Sequence, residues 1–384
     1  MTQQITVHGT VVAGFEAVRE EFAAFVAAAR DDYEGQLCAY VRGRRVVDLW
    51  AGAEADSLYG VFSSTKGAAH LVVALLVQDG TLELDRKVTY YWPEFGAEGK
   101  GAVTLRELLA HRAGLVGIDA GFSAEEMADD RAMAERLAGQ KPFWRPGTAF
   151  GYHALVIGAL TGEVVRRATG RTLQEVYEER VRAPYGTDFF LGLPAPQEAR
   201  FRPVQPMLPT PGQQALLDAR PAGPHTLASI AFNTHVPEPG TPADYVNSRL
   251  VRAKGPASAG GVASARGLAK MYAAAISELD ERPPLLKPDT VAEVGQIHSV
   301  GYDLVARAHK SYGLGFQATA DMWHPVLGAG AFGHSGAGGS QAFADPRTGL
   351  AYGYTRRRMA FPGGAAPEND SFVRVLHRAA LTTD

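Results

Sequence analysis

The chain has 384 residues, 46% of them hydrophobic, and a formal net charge of −3. That is enough chain for two lobes or one large elaborated domain around a sizeable core. The charge balance excludes a field that would draw nucleic acid or a membrane surface, and Arg356-Arg357-Arg358, the one basic cluster, reads as a solvated loop. Cys38 is the only cysteine, which excludes an internal disulfide and a cysteine-rich metal site.

In chain order, Met1 to Ile5 shows no basic segment followed by an apolar stretch, so no secretory leader is read there. No window approaches the roughly 18 uninterrupted apolar residues of a membrane span, and cytoplasmic residence is the default expectation. Ala13 to Arg30 carries Phe15, Val18, Phe22, Phe25 and Val26 at helical spacing. Gln36 to Val41 and Arg45 to Trp50 read as strands of a hairpin around Arg42-Gly43-Arg44, and Cys38 falls on the first as a small core residue. The apolar run Leu71 to Val77, closed by Gly80, is expected to be a buried helix.

The middle of the chain is mostly helical by pattern. Thr104 to Ala110 opens with a Thr104/Glu107 capping box, Ala124 to Ala138 is periodic and alanine-rich, Val156 to Thr169 ends at Gly170, and Ser264 to Glu278 adds another helix. Pro194 to Pro224 holds eight prolines and reads as an ordered surface excursion or a substrate-facing loop. Ser340 to Ala344 and Leu350 to Thr355 form a second hairpin across Asp345 to Gly349, followed by a helix from Ser371 to Leu381. The expectation is an α+β fold. Residues 1–62 and 295–384 form an α/β lobe around an antiparallel sheet built from both termini, residues 63–294 form a mostly helical lobe, and a cleft between them holds the site.

Ser63-Ser64-Thr65-Lys66 stands at the mouth of the buried helix and places a hydroxyl and an amine at i and i+3, one face of a helical turn. Serine needs a base to attack a carbonyl, and a desolvated lysine can be that base because burial disfavours its charged form. Eight lysines and 14 serines in 384 residues give roughly 0.3 such pairs by chance. The competing reading is an N-cap serine beside a surface lysine, so the pair draws its meaning from what accompanies it.

Two further pieces follow in order: Tyr152 after Pro146-Gly147-Thr148, and His334-Ser335-Gly336 in the glycine-rich segment Phe332 to Ser340. Together with Leu108-Leu109-Ala110-His111-Arg112-Ala113-Gly114-Leu115, they make a chain that resembles the serine β-lactamase and penicillin-binding-protein superfamily. Within it the chain looks most like the β-lactamase-like carboxylesterases. The resemblance implies a β-lactamase/transpeptidase-like fold, acylation of Ser63, and proton transfer shared by Lys66 and Tyr152. It also implies an oxyanion site from the backbone N–H groups of Ser63 and Ala337, a strand edge of His334, Ser335 and Gly336 lining the cleft, and no cofactor.

Two positions depart from the penicillin-recognising pattern. Ala154 stands where an asparagine two residues after the tyrosine is usual, and His334 where a lysine heads the third motif. A neutral imidazole attracts a substrate carboxylate less than an ammonium does, so neutral esters are the expected substrates. His153 has a minor claim as a base, His111 reads as structural, and Trp144, Phe150, Tyr245 and Trp323 could line an acyl pocket or fill the core.

Other chemistries are poorly supported. Gly333-His334-Ser335-Gly336-Ala337 nearly spells a nucleophile elbow, but the strand-turn-helix context and the order of acid and histidine are wrong. The 11 histidines show no metal-ligand spacing, and Gly336-x-Gly338 lacks the third glycine of a dinucleotide fingerprint. The expected protein is a serine carboxylesterase acting on short or medium acyl esters, a small-molecule enzyme with no nucleic-acid or membrane partner. The alternatives are a biosynthetic acyltransferase using the same acyl-enzyme, and a ligand-binding relic or weak β-lactamase.

Overall fold

Nine strands form one antiparallel sheet in a computed structural model that describes residues 5–219 and 223–382. Residues 1–4, within the stretch read for a leader, and 220–222, within the proline-rich segment, lie outside the described residues. Across the sheet the strands run Val7–Val11, Arg44–Ala51, Gly35–Val41, Leu350–Arg356, Gln341–Asp345, Phe332–Ser335, Gln317–Ala318, Ala308–Tyr312 and Ser299–Asp303. The two hairpins expected from the sequence sit in the middle, joined where Leu350–Arg356 pairs with Gly35–Val41. Arg42 and Gly43 both have positive φ, 49° and 81°, the backbone a two-residue hairpin turn needs.

Alternation explains why the central strands are buried on both faces. Leu37, Ala39, Val41, Tyr352 and Tyr354 point to one side, into a core with Phe15, Val18, Phe22, Phe372 and Leu376 from the two terminal helices, Glu16–Ala28 and Glu368–Thr382. Cys38, Tyr40 and Ala351 point to the other, toward helix Ala265–Ile276 and the larger core. Gly353 lets that helix lie against the sheet, since a Cβ there would stand 2.4 Å from Ala265 O. Burial pushes the Cys38 thiol up, away from nucleophilic use.

Helix Thr65–Gln78 is enclosed in the larger core along nearly its whole length, which is why its apolar residues run without a polar face. Around it pack the helical segments Leu105–Leu109, Asp130–Gly139, Ile157–Thr169 and Leu173–Tyr177. The capping box at Thr104/Glu107 and the left-handed Gly170 behave as expected.

Two expectations are corrected, and one open choice is narrowed. Ala124 to Ala138 is two helices, because the Asp129 side chain accepts from Arg131 N and Ala132 N and restarts the chain as a new N-cap. For Pro194 to Pro224 the first of the two readings fits: its described residues are a surface segment with short helices Ala195–Arg200 and Pro211–Asp218, and they do not line the cavity at Ser63. Arg356, Arg357 and Arg358 are no solvated cluster: they pair with Glu368, Glu34 and Asp32 at 2.5, 2.6 and 2.5 Å. Among the described residues no helix is long and apolar enough to cross a membrane.

Candidate active site

Ser63 stands in the 3-10 turn Phe62–Ser64, which runs directly into helix Thr65–Gln78. Phe62 has φ 47°, a left-handed conformation costly for an aromatic residue, and a dense set of bonds holds it there. Thr65 Oγ1 donates to Phe62 O and accepts from Gly261 N at 2.9 Å, and Ser64 N donates to Val61 O at 3.1 Å. Ser340 Oγ lies 3.0 Å from Ser64 Oγ and donates to Val61 O at 3.0 Å, tying the turn to the far end of the chain. The cap position of helix Thr65–Gln78 is Ser64, so Ser63 is not the N-cap of the competing reading, and it is only partly buried.

Lys66 Nζ lies 3.1 Å from Ser63 Oγ and donates to two main-chain carbonyls, Ala154 O at 2.7 Å and Ser258 O at 2.8 Å. The lysine has no solvent exposure, and burial drives its amine well below the ordinary lysine range. A neutral amine has two N–H bonds and one lone pair; two carbonyls take the N–H bonds, and the lone pair is left for the serine hydroxyl. The amide that Ala154 lacks is thus replaced as an orienting group by that residue's own carbonyl.

Tyr152 reaches the same point from another direction. Its ring lies with Lys66 Nζ 4.9 Å from the centroid, and the Ser63 side chain acts on its phenol, favouring the ionised form. Burial pushes the phenol up, and the influence of Ser63 offsets this only in part, so Tyr152 rests as a neutral phenol. Its backbone N–H donates to the buried Asp303 Oδ1 at 3.2 Å, and the Tyr312 ring stacks parallel to it at 5.8 Å.

Ser63, Ala154, Leu155 and Ala337 share a cavity of about 350 Å³ with Phe62, Met127, Phe232 and Tyr245. Among the described residues no charged side chain lines it. Of the third-motif residues only Ala337 faces this space; His334, Ser335 and Gly336 are buried behind it. His334 Nδ1 donates to Ser335 O at 2.8 Å, its ring stacks on Tyr152 at 5.9 Å, and burial holds it well below the ordinary histidine range. Ser335 Oγ is spent on Gln317 Oε1 at 3.1 Å, which also removes it from the elbow reading. Gly336 packs backbone to backbone, since a Cβ there would stand 2.2 Å from Val61 O.

Of the four aromatic candidates only Tyr245 lines the cavity. Trp144 packs among Val116 and Tyr152, Phe150 against Tyr312, and Trp323 donates to Gln317 Oε1 at 3.0 Å. Both ring nitrogens of His153 bond main-chain groups, Gly151 O at 2.7 Å and Leu115 N at 3.3 Å, so it is structural. His111 Nδ1 accepts from His153 N at 3.2 Å, and its ring packs on Tyr152 and Tyr312. Ser258, Asp303 and Tyr312 escaped the sequence reading; their partners lie far away in the chain, and no local pattern marks them.

A family model described as Beta-lactamase matches residues 22–371. The esterase/beta-lactamase LipL of Mycobacterium tuberculosis is 31% identical over 357 residues, covering 89% of this chain and 81% of LipL. The structure of EstA from Arthrobacter nitroguajacolicus Rue61a superimposes with a TM-score of 0.90 at 41% identity, over 97% of this chain and 98% of that one. A family VIII carboxylesterase gives 0.86 at 31% identity, over 97% of this chain and all of its own. With the family model spanning most of its length, and a β-lactamase/transpeptidase-like fold, the chain belongs to the beta-lactamase family.

Proposed function

We propose that this protein is a serine carboxylesterase that hydrolyses neutral short- or medium-chain acyl esters through an acyl-enzyme on Ser63. The observation that carries the reading is Lys66: an unexposed amine 3.1 Å from Ser63 Oγ whose other two contacts are carbonyls. Its esterase-named relatives, LipL among them, support the same reaction class.

Ser63 Oγ passes its proton to Lys66 Nζ as it bonds the ester carbonyl carbon, and the carbonyl oxygen becomes an oxyanion. The backbone N–H groups of Ser63 and Ala337, which border one cavity, are its donors, each typically worth about 3 to 4 kcal/mol. Collapse breaks the bond to the alkoxy oxygen, which takes a proton from the Lys66–Tyr152 pair. Tyr152, a neutral phenol acted on by the Ser63 side chain, is the carrier between serine and leaving group. Water repeats the sequence on the acyl-enzyme, with Lys66 drawing its proton, and frees the acid. The uncharged cavity wall of Phe62, Met127, Phe232 and Tyr245 suits an apolar acyl chain.

Release of p-nitrophenol from p-nitrophenyl acetate and butyrate tests the proposal. Turnover that disappears in Ser63→Ala supports it, and turnover that survives the substitution contradicts it. The two-lobe division at residues 62/63 and 294/295 and a cytoplasmic setting remain part of the same proposal.

A further inference from the structure

Lys66 is held by a peptide that is itself held. The carbonyl receiving its 2.8 Å bond belongs to Ser258, and three groups grip the chain there. Asp130 Oδ2 accepts from Ala257 N at 2.9 Å. Gln174 Nε2 donates to the same Oδ2 at 2.8 Å and to Gly255 O at 3.1 Å. Gly158 N donates to Ser258 Oγ at 2.8 Å, and a Cβ on Gly158 would stand 2.3 Å from Ser258 N, so helix Ile157–Thr169 presses directly on this peptide.

Asp130 is the one ionisable group in this grip. It is the first residue of helix Asp130–Gly139, whose cap is already supplied by Asp129, so capping does not account for it. Its second oxygen, Oδ1, is buried with no hydrogen-bond partner among the described residues. Burial pushes the carboxyl up to about 6. A proton on Oδ1 leaves both bonds at Oδ2 intact, so the grip needs the acceptor oxygen and not the charge.

We infer that Asp130 is a positioning residue for Lys66: its Oδ2 fixes the Ala257–Ser258 peptide, and the Ser258 carbonyl in turn keeps Nζ aimed at Ser63 Oγ. Without that acceptor the Ala257 N–H is left unpaired, the turn relaxes toward other partners, and the carbonyl leaves Nζ. The base then points away from the hydroxyl while the acyl cavity keeps its wall. The inference rests on Lys66 serving as the base in the proposed function.

The test compares wild type, Asp130→Ala, Asp130→Asn, Gln174→Ala and Lys66→Ala on p-nitrophenyl butyrate at pH 8, with melting temperatures recorded for each. Asp130→Ala is expected to lose about 10²-fold in kcat with KM little changed, the scale of a misplaced catalytic group. Asp130→Asn, which keeps an acceptor oxygen, restores most of that loss, and Gln174→Ala loses a smaller factor. Wild-type kcat in folded Asp130→Ala, or an Asp130→Asn as inactive as the alanine variant, overturns the inference. Should Asp130→Ala fail to fold, wild-type kcat in Gln174→Ala overturns it instead. An inactive Lys66→Ala beside an unimpaired Asp130→Ala rejects this inference alone; an active Lys66→Ala rejects the base assignment beneath it.

Discussion

Lys66 Nζ lies 3.1 Å from Ser63 Oγ and meets no carboxylate among the described residues, its other partners being the carbonyls of Ala154 and Ser258. Carbonyls can hold an amine in place without stabilising its charge as a carboxylate would, so burial is left to decide the protonation state. Lys66→Ala should therefore cost about 10² to 10⁴ in kcat, the usual worth of general-base assistance, with the fold retained. Steady-state kinetics and circular dichroism check this together; near wild-type turnover would remove Lys66 from the mechanism.

The same burial makes stability depend on pH with a defined sign. The folded state holds Lys66 well below its ordinary value, so between that depressed value and about 10.4 the unfolded chain binds a proton that the native one does not. Unfolding free energy should rise with pH across the alkaline range, and Lys66→Met should flatten the rise. Histidines act in the acid range: burial holds His70 near 3 and His153 near 4, so their contribution is present above about 6.5 and lost as pH falls toward those values. Urea titrations from pH 4 to 10 measure both limbs; equal slopes in wild type and Lys66→Met would refute the first.

Substrate charge is the next consequence. Among the described residues the cavity wall has no charged side chain, and His334 is buried behind it and held neutral. An anionic acyl group would enter without a partner, and an uncompensated buried charge costs several kcal/mol, so p-nitrophenyl hemisuccinate should show kcat/KM at least about 10²-fold below the butyrate ester. Equal rates for the two esters would show a cation in the site that this account lacks.

Gly336→Ala probes the join between the nucleophile turn and the third motif. Its Cβ would stand 2.2 Å from Val61 O and 2.4 Å from Ser340 Oγ, the atoms that also secure Ser64. The expected loss is about 1 to 3 kcal/mol of stability, as for overpacking a filled core, with a drop in kcat from displacement of Ser63. Thermal melts read the first and p-nitrophenyl butyrate kinetics the second; a variant matching wild type in both would count against the join.

How much of this was legible in the sequence depends on the range of the interaction. Ser63 and Lys66 are three residues apart on one helical turn, and the apolar run behind them announces burial, so local periodicity exposes both. The central hairpins were equally plain, whereas Val7–Val11 and Ser299–Asp303 are short edge strands with glycine inside and exposed alternate positions, too weak a pattern to read. Tyr152 sits in irregular backbone and was found only through resemblance. Ser258, Asp303 and Asp130 act on partners 192, 151 and 127 residues away, contacts that only the folded chain creates. The four aromatic residues weighed for the pocket stayed open between pocket and core for a related reason: aromatic residues look alike in sequence whether they fill a core, like Phe150, or border a cavity, like Phe232.

The most direct test of the account is covalent. Incubation with a p-nitrophenyl alkylphosphonate, followed by peptide mass spectrometry, should find a single adduct on Ser63, formed far more slowly in Lys66→Ala. An adduct on Ser64, Ser335 or any other residue, or labelling of Ser63 at an unchanged rate in Lys66→Ala, would contradict it.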